Sequence, residues 1–194
     1  MTPAIVTFPR RSPAAGAVRL ALHALTLARA VAAPVLFAAI DAGATAPALG
    51  VLAASAASEA VDGRLARRFG VASAPGAWAA VTADLLVATA AFAAFAHRGV
   101  LPAWLLWVIL GMFTQFVATS VMAARRPARP IRRPVYDPVG RYFGAALFVA
   151  AGATLVAPAA ARSVVPVAIA GLALMSQSAR VVYLLAGRHE AAHG

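Results

Sequence analysis

Long apolar runs separated by short polar breaks dominate the chain. A helix of about 20 apolar residues spans the hydrocarbon core of a bilayer, and six runs approach that length, at roughly 20–40, 46–61, 77–95, 101–122, 139–156 and 164–185. Proline marks their limits. Pro102 opens the fourth run, Pro127, Pro130, Pro134 and Pro138 break the chain between the fourth and fifth, and Pro158 and Pro166 bracket the turn before the sixth. The pattern predicts an all-α polytopic membrane protein with six transmembrane helices. These nearly exhaust the 194 residues, so the expected organisation is one membrane domain over residues 1–194. Its polar parts are an N-terminal segment to about residue 18, a basic loop over 123–138 and a tail over 187–194.

Composition agrees, with 62% hydrophobic and 12% charged residues and a mean hydropathy of +0.82, far from a soluble domain. Arg10, Arg11 and Arg19 precede an apolar stretch as in a signal peptide, but Arg29 interrupts the stretch and it continues to Ile40. That is longer than a signal-peptide core, so the segment reads as a retained first helix. With no cysteine there is no disulfide framework, thiolate nucleophile or cysteine metal site.

All 17 basic residues are arginine, and the net charge is +11. Arginines cluster before the first run, after the second (Arg64, Arg67, Arg68), after the fourth (Arg125, Arg126, Arg129, Arg132, Arg133) and after the sixth (Arg188). The opposite loops hold only Asp41, Arg98 and Arg162. The positive-inside rule then places both termini in the cytoplasm of a cell (inner) membrane protein. The charge serves this asymmetry and contact with anionic headgroups. Nucleic acid is not an expected partner, because the basic loops lack aromatic interleaving.

Three of the six acidic residues, Glu59, Asp62 and Asp84, lie inside or beside the second and third runs. Glu59, Asp62, Gly63, Ala66 and Arg67 follow at i, i+3, i+4, i+7 and i+8 and share one helical face. Gly76, Ala80 and Asp84 recur every four residues and share another. The eight residues from Arg68 to Pro75 let the two helices lie antiparallel, with both faces lining one cleft. Carboxylates in a membrane span are costly and point to function, and clustered oxygen ligands suit a hard divalent cation. Gly63 and Ala66 leave space for a bulky group, with Arg67 placed to contact a phosphate. The competing reading is that Glu59 and Asp62 only pair with Arg64, Arg67 or Arg68 at the interface.

The same residues resemble the CDP-alcohol phosphotransferases (CDP-alcohol phosphatidyltransferases), whose second and third helices carry D-x-x-D-G-x-x-A-R-x8-G-x-x-x-D-x-x-x-D. This chain has Glu59, Asp62-Gly63, Ala66-Arg67, eight residues, then Gly76, Ala80 and Asp84 in the same spacing. "LTLARAVAAP" supplies Leu25, Thr26, Arg29 and Pro34 in the register of the family's first-helix pattern, and Gly140-Arg141 is similar to a Gly-Lys pair after its fourth helix. The resemblance implies a CDP-linked lipid donor, an alcohol acceptor, Mg²⁺ or Mn²⁺, a homodimer and a place in phospholipid synthesis with release of CMP. It implies that Glu59, Asp62 and Asp84 bind metal, with Asp84 also the candidate base. Gly63, Ala66, Arg67 and Gly76 would bind the nucleotide, and Arg29 and Arg141 would contact phosphate or acceptor. Two positions depart from the pattern: Glu59 and Ala80 stand where the family has aspartate. Asp137 is a possible substitute ligand if the basic loop folds over the cleft. An alternative is therefore a catalytically impaired relative that binds a nucleotide-lipid or a protein partner without turnover.

A remote alternative rests on "HEAAH", His189 to His193, whose two histidines one turn apart match a zinc-protease motif with Glu190 as base. A catalytic zinc needs a third protein ligand, and only Gly194 follows.

Overall fold

The computed structural model describes residues 13–124 and 140–192, and side chains within 15–122 and 142–182. Asp137, His193, most of the basic loop and the side chains of Arg141, His189 and Glu190 lie outside these ranges.

The described residues are helical, with no strand among them. The helices are α1 (Pro13–Asp41), α2 (Thr45–Arg68), α3 (Ala74–His97), α4 (Trp104–Ala124), α5 (Gly140–Val156), the single turn α6 (Ala159–Arg162) and α7 (Val164–Ala192). Each apolar run thus became a helix, usually longer than the run itself. In α2 the extra turns are polar, since the helix continues past the acids to Arg68.

Four segments are long and apolar enough to cross a bilayer: Ala15–Asp41, Ala74–His97, Trp104–Met122 and Ala159–Val182. Two of the six expected spans do not meet that standard, for different reasons. The apolar part of α5, Tyr142–Val156, is too short. Helix α2 has 24 residues, but its last three turns carry Glu59, Asp62, Arg64, Arg67 and Arg68.

Short turns fix the order of packing. Gly43, Gly70 and Gly99 adopt positive φ just past the ends of α1, α2 and α3, the conformation that lets a helix stop and reverse without a Cβ clash. Ser73 starts α3, its hydroxyl accepting a hydrogen bond from the Gly76 backbone N–H at 3.1 Å. Helix α3 is the hub, touching α1, α2, α4 and α5, while α7 packs on α4 and α5. Helix α1 lies along both α2 and α3, and α2 and α3 touch each other only slightly.

Large apolar side chains point outward, including Leu20, Trp107, Val149 and Val167, whereas the buried set contains Arg29, Ser55, Asp62, Thr119, Ser120, Thr154, Ser176 and Arg180. In lipid this distribution is stable, because apolar side chains face hydrocarbon and polar ones find partners inside. Thr26, Thr119 and Thr154 each donate to the carbonyl four residues earlier, on Leu22, Gln115 and Ala150. The packed centre is built from Leu36, Ile40, Val87, Phe92, Leu105 and Ile109, all at most 2% exposed.

Candidate functional site

The acids of α2 and α3 meet through a residue of α1. Arg29 is 2% exposed, and its Nη2 donates to Asp62 Oδ2 at 2.5 Å while its Nη1 donates to Asp84 Oδ1. One guanidinium therefore ties three helices together, using the planar fork that suits arginine to carboxylates. Asp62 Oδ1 and Arg29 Nε are buried in the same cluster without a hydrogen-bond partner. The proposed pairing of Asp62 with Arg64, Arg67 or Arg68 is not what forms: among the described residues Asp62 pairs with Arg29.

Glu59 and Asp84 line one partly open cavity of about 130 Å³. Its walls come from five helices: Glu59 of α2, Val81, Leu85 and Ala88 of α3, Met112 and Phe116 of α4, Phe143 and Gly144 of α5, and Ser176 and Arg180 of α7. The expected two-helix cleft is thus a wider space, to which α2 and α3 each contribute an acid and α4, α5 and α7 the remaining walls. It is mostly apolar, with charge at few points, the usual character of a small-molecule site.

Arg180 is the residue that sequence reasoning missed. It is 6% exposed, its Nη1 donates to Thr119 Oγ1 at 2.5 Å, and its guanidinium carbon lies 4.9 Å from the Phe116 ring centroid. A signal was present: an arginine within the sixth apolar run is as costly in hydrocarbon as the acids are.

The remaining sequence candidates stand as follows. Arg67 folds back over Gly63, so that a Cβ at position 63 would meet Arg67 Nη1 at 3.3 Å. Ala66 is half-buried and Arg67 exposed on the same face. Gly76 has a structural use of its own, since a Cβ there would meet the capping Ser73 Oγ at 3.0 Å. Ala80 sits half-buried one turn before Asp84. The backbone of Arg141 lies in the first turn of α5.

The acids suit a divalent cation in their chemistry, as hard oxygen donors, and Asp62 Oδ1 is a buried acceptor that nothing uses. Among the described residues, however, no three His, Asp or Glu side chains converge as a metal-holding group. The cation held between Asp62 and Asp84 is the Arg29 guanidinium.

A family model described as CDP-alcohol phosphatidyltransferase matches residues 21–185. The chain belongs to this family. No curated protein and no solved structure gives a significant match. As a CDP-alcohol phosphatidyltransferase family member the protein is a multi-pass membrane protein of the transferase class, whose relatives act on a CDP-linked alcohol and an acceptor alcohol with divalent metal. The match begins within α1, ahead of Arg29, and runs beyond Arg180, and so takes in every residue of the charged cluster and the cavity.

Proposed function

We propose that the protein transfers a substituted phosphate, of phosphatidyl type, from a CDP-linked lipid to an alcohol acceptor with release of CMP, in phospholipid biosynthesis. The observation that carries the reading is Asp84: it joins the buried Arg29–Asp62 pair and also lines the cavity, within a chain of this family. Asp84 is the base. Its carboxylate takes the proton of the acceptor hydroxyl as that oxygen bonds to phosphorus, and the bond from phosphorus to the CMP oxygen breaks with its electron pair. Asp62, Asp84 and Glu59 are the residues that would hold Mg²⁺ or Mn²⁺; a bound ion supplies charge neutralisation and polarises the phosphoryl group. Gly63, Ala66, Arg67 and Gly76 border the nucleotide, Arg29 and Arg141 serve the phosphates or acceptor, and the apolar wall of Met112, Phe116 and Phe143 suits lipid. Catalysis then rests on positioning and electrostatics. The protein acts as a homodimer, by analogy with its family, in the cell membrane; the arginine distribution supports cytoplasmic termini.

A second reading, a relative that binds nucleotide-lipid or a partner protein without turnover, is favoured by two observations: Ala80 in place of an acid, and Arg29 neutralising the acids that remain.

CMP release from CDP-diacylglycerol, measured with Mg²⁺ or Mn²⁺ and a panel of alcohols, separates the readings. Turnover in the wild type that falls by roughly a hundredfold or more in Asp62→Ala, the scale expected when reacting groups lose their placement, supports the transferase. A silent wild type that still binds nucleotide, with turnover restored in Ala80→Asp, supports the binder.

A further inference from the structure

We infer that Arg29 is a built-in counter-cation for the acidic pair, which holds α2 and α3 on α1 before any metal arrives and which a divalent cation must displace. The inference takes from the proposed function only that such an ion visits these acids.

Four observations carry it. Arg29 is the group between Asp62 and Asp84, touching one oxygen of each, so a cation held by both acids would compete with the guanidinium for them. The cluster is charge-deficient, with one guanidinium facing two carboxylates and Glu59 lining the same cavity as Asp84. It is also imperfectly paired, since Arg29 Nε and Asp62 Oδ1 are both buried without a partner. Finally, position 80, on the same face of α3 as Asp84, is alanine, so one guanidinium has two close acids to balance rather than three.

Two uncompensated carboxylates at 12% and 18% side-chain exposure would repel each other and pay full desolvation, driving α2 from α3. Helices α2 and α3 touch each other only slightly and rely on α1 as the bridge. Arg29 supplies the missing charge from within the chain, and the bundle assembles without metal. The consequence is a reduced metal affinity. If the binding-competent form, with Arg29 swung away, is only a fraction of the population, the apparent affinity falls by that fraction. Asp62 Oδ1, buried and without a hydrogen-bond partner, would be available to a divalent cation once Arg29 moves.

The test uses the full chain in detergent, with Mn²⁺ binding read by electron paramagnetic resonance and thermal unfolding read in EDTA and in Mn²⁺. The wild type should bind Mn²⁺ weakly and unfold at nearly the same temperature in both media. Arg29→Gln should unfold earlier in EDTA, bind Mn²⁺ on the order of tenfold more tightly, as expected when a minor competent state becomes the major one, and regain stability in Mn²⁺. Arg29→Lys keeps a cation but lacks the fork, covers the case in which Arg29→Gln does not fold, and should lie between the two. Equal Mn²⁺ affinity in wild type and both variants overturns the inference, as does weaker binding in the variants, which would make Arg29 a residue that positions the ligands. Absence of Mn²⁺ binding in every protein also overturns it. CMP release is not the readout, so a wild type that is silent in transfer yet shows the Arg29 effect counts against the transferase reading alone.

Discussion

At the residue scale, the charged side chains inside this bundle are stable because they are shared between helices. Arg29 serves Asp62 and Asp84, and Arg180, which lines the cavity, does comparable work where α7 meets α4. Its bond to Thr119 and its seat over Phe116 replace the water that a guanidinium loses on burial. Charge-assisted hydrogen bonds of this kind contribute about 1.5–3 kcal/mol, so Arg180→Met, which keeps most of the packing, should destabilise the protein by about 1–3 kcal/mol. Equilibrium unfolding in detergent measures it, and an unchanged stability would mean that the contacts with Thr119 and Phe116 contribute nothing net. Both roles escaped the sequence for one reason. The pattern locates costly charges, but it does not say which of 17 arginines folding brings to which acid.

At the element scale, the helix limits follow from local chemistry. The stretch from Ser73 to Gly76 is the clearest case, with a capping hydroxyl, a proline in the first turn and a glycine whose missing Cβ leaves the hydroxyl room. Ser73→Ala should cost about 1 kcal/mol, the usual value of an N-cap, and the loss should appear as a lower unfolding temperature. Gly76→Ala should do the same by crowding Ser73 Oγ, which separates the capping role of this glycine from a purely nucleotide-binding one; the latter predicts weaker nucleotide binding at unchanged stability. Element limits were legible because caps, prolines and positive-φ glycines act over a few residues. The arrangement was less so. The acids of α2 and α3 were expected to line one cleft, and Glu59 and Asp84 do line one cavity, but Asp62 and Asp84 are joined through Arg29 of α1, and α2 and α3 touch each other only slightly.

At the scale of the whole molecule, polarity is inverted relative to a water-soluble bundle, with Trp107 75% exposed and Arg29 2% exposed. Four segments qualify as spans by length and apolarity, while six spans remain the topology that the arginine asymmetry favours. The chain has no cysteine, so single cysteines report sidedness without background. Thr45→Cys, in the first turn of α2, and Ser163→Cys, between α6 and α7, should react with an impermeant maleimide from outside the cell. Ala72→Cys, between α2 and α3, should react only after the membrane is opened. Labelling of Thr45→Cys and Ala72→Cys from the same side would show that α2 does not cross, a result its five charges would then explain.

The sequence by itself determined the all-helical membrane character, the approximate limits of each helix, the family and the placing of Glu59, Asp62 and Asp84 inside or beside two apolar runs. All of these are encoded in spacing and composition along a few turns of chain, where hydropathy and helical period act locally. Only the tertiary structure decided that Arg29 stands between Asp62 and Asp84 and that Arg180 shares a cavity with Glu59 and Asp84. Arg29 is 33 and 55 residues from its two partners. Which buried charge neutralises which is set by how helices pack, because a low-dielectric interior forces each charge to the nearest opposite one that the whole bundle supplies.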